Sequence, residues 1–209
     1  MKVLVADDHT IVREGLKQIV KALDVISRTD EASSGDEAWK MIRNGGYDLV
    51  ILDISMPGMN GLEVVKKIRD NGIKTHVLVL SVYPQEHYAV RAINLGASGY
   101  ITKDSAYTEL ALAIRKIAAG GKYISSAFAE KLIFNSPDSE AGSPHEKLSE
   151  REFLVMLKLA RGQSVTEIAG EISISDKTVS TYRIRILEKL GLRNNAEITL
   201  YAVRNNLID

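Results

Sequence analysis

Short apolar runs alternate with amphipathic stretches along the first 120 residues. The runs are Val3-Leu4-Val5-Ala6, a weaker one from Val25 to Ala32, Leu49-Val50-Ile51-Leu52, Val77-Leu78-Val79-Leu80 and Tyr100-Ile101. Unbroken apolar runs of this length predict strands buried on both faces. Between them, apolar residues recur at helical spacing: Val12, Leu16, Ile19, Val20 and Leu23, then Val64, Val65 and Ile68, and later Leu110, Ile114 and Ile117. Five strands alternating with five helices predict an α/β domain, a parallel sheet wrapped on both faces. Ligands of such a sheet bind at the carboxyl ends of its strands.

From 121 to 147 the pattern lapses. The ten residues from Asn135 to Pro144 hold two prolines, one glycine and three serines, the composition of a flexible linker. A short helix from Ala127 to Phe134 is expected before it. After Leu148 the pattern is helical throughout. Ser149 with Glu152 three residues on is a capping start; Leu154, Leu157 and Ala160 continue that helix, and Gly162 ends it. Val165 to Ile172 predict a second helix. Ser175, with Thr178 close behind, starts a third that Gly191 stops after Leu190. Asn195 to Asn205 predict a fourth. The division is therefore an α/β domain over 1–120, a linker over 121–147 and an all-α bundle of four helices over 148–209.

Composition narrows the function. Lys+Arg and Asp+Glu both number 27 among 209 residues, so the chain is formally neutral and does not bind nucleic acid by bulk charge. An apolar content of 45% excludes a disordered solvating chain. There is no cysteine, which excludes disulfides, thiolate zinc sites and Cys nucleophiles. The four histidines, His9, His76, His87 and His145, show no ligand spacing. No apolar run approaches the roughly 18 residues of a membrane span, and the first apolar run meets Asp7-Asp8 too soon for a signal peptide. The expectation is a cytoplasmic protein with no membrane partner.

The strand ends carry the candidate chemistry. Asp7 and Asp8 follow the first strand, Asp53 closes the third, Ser81 closes the fourth and Lys103 lies just past the fifth. In a parallel sheet these residues converge on one edge. Three carboxylates brought together repel unless a cation sits among them, and oxygen ligands without His or Cys favour Mg²⁺. A Lys and a hydroxyl beside that ion suit a bound phosphoryl group, for which Asp can be the nucleophile. Each residue also has an ordinary reading: Asp7-Asp8 as a cap for the helix that begins near Thr10, Asp53 as a turn residue, Ser81 as a strand-end cap, Lys103 as a surface charge. Their joint placement overrides these readings.

The elements Val5-Ala6-Asp7-Asp8-His9, Leu52-Asp53-Ile54-Ser55-Met56-Pro57-Gly58-Met59-Asn60-Gly61, Ser81, Gly96-Ala97-Ser98-Gly99-Tyr100 and Lys103 together resemble the receiver domain of two-component response regulators. The resemblance implies a flavodoxin-like sheet of order 2-1-3-4-5. It implies that Asp53 accepts phosphate from a sensor histidine kinase. Asp8, Asp53 and the backbone carbonyl of Ser55 would bind Mg²⁺, with Asp7 acting mainly through water. Lys103 and Ser81 would hold the phosphoryl oxygens, and Tyr100 would change rotamer with Ser81, shifting the surface near Tyr83.

Counted by segment, neutrality allows a local basic face. Residues 148–209 carry nine basic and eight acidic side chains, but five bases and one acid lie between Lys177 and Arg193. Gln163 to Gly191 has the outline of a helix-turn-helix whose shared core is Ile168, Ile172, Ile174, Val179, Ile186, Leu187 and Leu190. The other face of the third helix mixes short hydroxyls with Arg and Lys, which suit major-groove bases and phosphates. The segments Leu148-Ser149-Glu150-Arg151-Glu152, Thr166-Glu167-Ile168-Ala169, Ser175 to Tyr182 and Leu187 to Gly191 resemble the DNA-binding domain of the LuxR/NarL/FixJ class. That resemblance implies a recognition helix from Asp176 to Leu190 that contacts double-stranded DNA through Lys177, Thr178, Ser180, Thr181, Tyr182, Arg183, Arg185 and Lys189. It also implies a homodimer through the last helix, promoted by phosphorylation. The combined expectation is a transcription regulator, not an enzyme. A Mg²⁺-dependent phosphohydrolase with an aspartyl intermediate would need a second Asp where Thr10 stands, and no substrate cap is present.

Overall fold

The computed structural model describes residues 1–82, 85–125, 128–129, 144–205 and 207–208. Apart from Phe128 and Ala129, the expected helix at 127–134 lies outside them, as do most of the linker and Tyr83. The chain divides into two compact units, Met1–Ser136 and Pro137–Asp209.

The first unit alternates strand and helix: β1 (Lys2–Ala6), α1 (Thr10–Lys21), β2 (Arg28–Ala32), α2 (Gly35–Gly45), β3 (Leu49–Asp53), α3 (Gly61–Asp70), β4 (His76–Ser81), α4 (Gln85–Asn94), β5 (Gly99–Thr102) and α5 (Ala106–Ala118). The strands form one sheet, all neighbours parallel, in the order β2-β1-β3-β4-β5. β1 and β3 are buried almost throughout, as expected of central strands under helices on both faces. Side chains alternate across the sheet. Val3, Val5, Ile51, Leu78, Leu80 and Ile101 therefore share one core with Leu16 and Val20 of α1 and Leu110, Ile114 and Ile117 of α5. β2 begins at Arg28 rather than near Val25. It is an edge strand, and its charged residues are paired: Arg28 with Asp30, and Glu31 with Arg13 and Lys17. Beyond α5, Tyr123 donates its amide to Ser98 O at 2.9 Å and accepts that of Tyr100 at 3.0 Å, extending the β5 edge.

Register brings the strand ends together. Ala6 lies opposite Leu52, so Asp7 comes level with Asp53. Asp53 pairs with Leu80, and Ser81 follows. Ser81 pairs with Thr102, and Lys103 follows. Nothing beyond parallel pairing is needed to gather these residues at one edge.

The second unit opens with a 3₁₀ turn (Pro144–Lys147) and continues with α6 (Glu150–Ala160), α7 (Val165–Glu171), α8 (Asp176–Leu190) and α9 (Asn195–Arg204). The expected capping box is present: Ser149 Oγ accepts the Glu152 amide while Glu152 accepts that of Ser149. A second box, Ser164 with Glu167, starts α7. Ser173 takes a left-handed conformation (φ 54°) in the turn between α7 and α8. Of the expected shared core, Ile168, Ile172, Val179 and Ile186 are buried, whereas Ile174, Leu187 and Leu190 are half-buried.

Candidate functional site

At the carboxyl edge of the sheet, Asp7 and Asp53 are buried side by side, their side chains 0% and 1% exposed. One cation just beyond β5 meets both: Lys103 Nζ lies 2.7 Å from Asp7 Oδ2 and donates to Asp53 Oδ2 at 2.8 Å. Lys103 is set there by the end of β5, its own amide donating to Ser81 O at 2.7 Å. Asp53 Oδ1 is also buried, yet has no hydrogen-bond partner. A buried carboxylate oxygen left in this state is costly unless a ligand meets it.

Electrostatics agree. Burial pushes the Asp53 carboxyl up to about 6; Lys103 and, more weakly, the Ser55 amide pull it back, and the charge of Asp7 adds to the rise. Burial works to lower the Lys103 ammonium, but Asp53 and Asp7 overcome this and hold it above its ordinary value.

The capping alternative for Asp7-Asp8 does not hold. His9 is the N-cap of α1 and no side chain caps that helix. Asp7 Oδ1 instead accepts the His9 amide at 2.8 Å, and Arg13 Nη1 donates to the Asp7 carbonyl at 2.7 Å, fixing the turn. Asp8 is partly exposed at the mouth. Ligand atoms of Asp7, Asp8, His9 and Asp53 all lie within 4.8 Å of one another. Three carboxylates, one with an unpartnered buried oxygen, are the donor set that a hard divalent cation requires. Ser81 closes β4 fully buried, and Tyr100 is buried on β5. Ser55 lies in the turn after β3, its hydroxyl buried with no hydrogen-bond partner.

Sequence reasoning missed two supporting residues. Besides holding the Asp7 carbonyl, Arg13 donates from Nε to Glu31 at 3.1 Å. Arg69 ties two loops together, donating to the carbonyls of Ile73 and Thr75 before β4 and of Gly96 before β5. Their backbone acceptors leave no trace in residue spacing.

In the second unit α8 presents Lys177, Thr181, Arg185 and Lys189 at the surface, with Thr178, Ser180, Tyr182 and Arg183 half-buried. Two of the cations have partners within the unit. Arg183 Nε donates to Asn195 Oδ1 at 2.6 Å. Lys189 Nζ donates to Glu152 Oε2 at 2.6 Å. Lys177 and Arg185 are therefore the cations best placed to meet an external anion. The Lys189 pair also has a stability consequence. Burial works to raise Glu152, but Lys189 and the Ser149 amide hold it below the usual carboxylate range. A depressed carboxyl contributes stability that is present above its unfolded value and lost as pH falls through the folded one. Glu152→Gln keeps the capping box and removes the ion pair. It is expected to lower stability by about 1 kcal/mol at pH 7, with the deficit vanishing in acid. Thermal melts from pH 3 to 7 check this; a deficit independent of pH would contradict it.

Residues 3–115 match the response regulator receiver domain family, and residues 146–202 match the bacterial regulatory proteins of the LuxR family. The response regulator UvrY of Escherichia coli (strain K12) is 36% identical over 208 residues, covering 99% of this chain and 95% of that protein. Among solved structures, RcsB from Salmonella enterica serovar Typhimurium, bound to promoter DNA in the presence of the phosphomimetic BeF3⁻, is 25% identical with a TM-score of 0.61, over 96% of this chain and 97% of that one. A structure of two RcsB dimers bound to two parallel DNAs is equally similar, with 25% identity and a TM-score of 0.61 over 97% and 98%. Among the described residues no helix is long and apolar enough to cross a membrane. With a receiver unit carrying the acidic edge and a LuxR-type helical unit following it in the chain, the chain belongs to the NarL/FixJ (LuxR) class of two-component response regulators, a family of DNA-binding transcription regulators rather than enzymes.

Proposed function

We propose that Asp53 is phosphorylated by a sensor histidine kinase in the cytoplasm and that the modification promotes a homodimer that reads double-stranded DNA through α8. The observation that carries this reading is the unpartnered, buried Asp53 Oδ1 beside Lys103. One Asp53 oxygen forms the new P–O bond as the donor's P–N bond breaks and the donor imidazole keeps the electron pair; the other Asp53 oxygen would remain for the metal. Lys103 turns from carboxylate to phosphoryl oxygens, and the Ser81 hydroxyl donates to one of them. Asp8, Asp53 and the Ser55 carbonyl would hold Mg²⁺, and Asp7 would act through water. The ion, when bound, offsets the negative charge of the phosphoryl oxygens. Phosphorylation adds about −1.5 to −2 charges, a local change large enough to bias Ser81 and Tyr100 between two arrangements.

On α8, Ser180 and Thr181 would face bases and Lys177 and Arg185 phosphates, with Thr178, Tyr182, Arg183 and Lys189 completing the surface. The RcsB complexes with DNA support this docking, and the RcsB dimers support pairing. Leu200 and Val203 stand 49% and 46% exposed on α9, an apolar face suited to a second copy. Arg185→Ala is expected to weaken DNA binding and to reduce the slope of log affinity against log salt by about one. An unchanged slope would remove Arg185 from the interface. Recovery of bound genomic fragments by the full chain, with and without a phosphodonor, tests the whole proposal. Enrichment of discrete fragments only with the donor is expected; equal recovery would contradict it.

A further inference from the structure

His9 is the N-cap residue of α1, yet its side chain caps nothing. It turns toward the acidic edge. Its Nδ1 lies 2.9 Å from Asp8 Oδ1 and 3.2 Å from Asp7 Oδ1. Lys103 occupies the Oδ2 atoms of Asp7 and Asp53, which leaves Asp53 Oδ1 as a buried oxygen of the cluster with no hydrogen-bond partner. Neighbouring donors of an octahedral ion with bonds of about 2.1 Å sit about 3.0 Å apart; around a tetrahedral ion the spacing is about 3.4 Å. The imidazole nitrogen already holds this spacing to two carboxylates.

We propose that His9 is a nitrogen ligand that makes the acidic edge a mixed N/O site for first-row transition divalent cations, which displace Mg²⁺ from it. The inference rests on the Mg²⁺ reading above and adds a determinant of which cation binds. Carboxylates alone favour hard ions, whereas imidazole raises affinity along the series from Mn²⁺ to Cu²⁺ and for Zn²⁺, leaving Mg²⁺ almost unaffected. The ring is 62% exposed, so it can reorient onto an ion without opening a cavity. The same Nδ1 distances also suit simple hydrogen bonds, but those do not involve Asp53. A metal site does.

The test is titration of the full chain with Co²⁺ and with Mg²⁺, followed by calorimetry and by the visible spectrum of Co²⁺. The wild type is compared with His9→Ala, His9→Asn and Asp53→Asn. His9→Asn supplies α1 with a favoured cap and so guards against a folding loss. We expect Co²⁺ to bind the wild type about tenfold or more tighter than Mg²⁺, and excess Mg²⁺ to displace it. Both His9 variants should weaken Co²⁺ by about tenfold or more while Mg²⁺ changes less than about twofold. Co²⁺ binding that is unchanged in the His9 variants, or that survives Asp53→Asn, would overturn the assignment of His9 alone. Absence of Mg²⁺ binding to the wild type would overturn the underlying metal reading with it.

Discussion

Asp53→Asn is expected to abolish phosphoryl uptake from a small donor such as acetyl phosphate, and also to stabilise the metal-free protein near neutral pH. The first effect follows from chemistry, because an amide oxygen lacks the charge of a nucleophilic carboxylate. The second follows from burial. In the folded protein the Asp53 carboxyl is pushed up to about 6 from an ordinary value of 3.8. Between those values the folded state binds the proton more tightly than the unfolded chain. The stability this group contributes is therefore fully present below about pH 4 and lost as pH rises through 6. Replacing the carboxylate removes that loss, on the order of 3 kcal/mol at pH 7. Intact-mass analysis after donor treatment and melting curves from pH 4 to 8 check both parts. A labelled variant, or one that melts below the wild type at pH 7, would contradict the account of the site.

Gly61→Ala is expected to damage fold and site together. Gly61 opens α3, and a Cβ there would lie 2.1 Å from the carbonyl oxygen of Asp53 and 2.9 Å from its carbonyl carbon. Both atoms are backbone, so neither can swing aside. The contact exists because α3 starts against the end of β3, with the Gly61 amide donating to Ile54 O at 3.0 Å. Forcing them apart costs about 3 kcal/mol, a fall in Tm of roughly 5–10 °C. A displacement of about 1 Å at the proposed acceptor should slow transfer about a hundredfold. Gly72→Ala is the control. Gly72 is also strained for a side chain, at φ +67°, but open space surrounds it. That change should cost about 1 kcal/mol and leave phosphoryl uptake unaltered. Wild-type melting and labelling in Gly61→Ala would show that the β3–α3 junction is looser than its geometry indicates.

The order of elements was legible because central parallel strands are apolar throughout and amphipathic helices separate them. β2 was the least legible. As an edge strand, its sequence Arg28-Thr29-Asp30-Glu31 is held by ion pairs to α1 and by the Tyr47 hydroxyl, and no periodicity encodes those. The acidic edge was readable for a simple reason: in a parallel sheet, strand ends align whatever the helices do. Partnerships across elements were not readable. Lys189 belongs to the charged face of α8 by spacing alone, yet it is paired with Glu152 thirty-seven positions earlier. His9 likewise carries no ligand spacing, and only folding sets its ring against Asp7 and Asp8.

The charge argument also becomes more specific. Neutrality overall leaves α8 with few cations, and two of its four are already engaged within the unit. One copy therefore offers little to DNA, and under the proposed function coupling of two copies by phosphorylation would supply the rest. The most direct measurement is the affinity of the full chain for a recovered fragment, by fluorescence anisotropy, with and without phosphodonor, for wild type and Asp53→Asn. The account predicts that the donor tightens wild-type binding about tenfold or more and leaves Asp53→Asn unchanged. Equal tightening in both proteins, or none in the wild type, would contradict it.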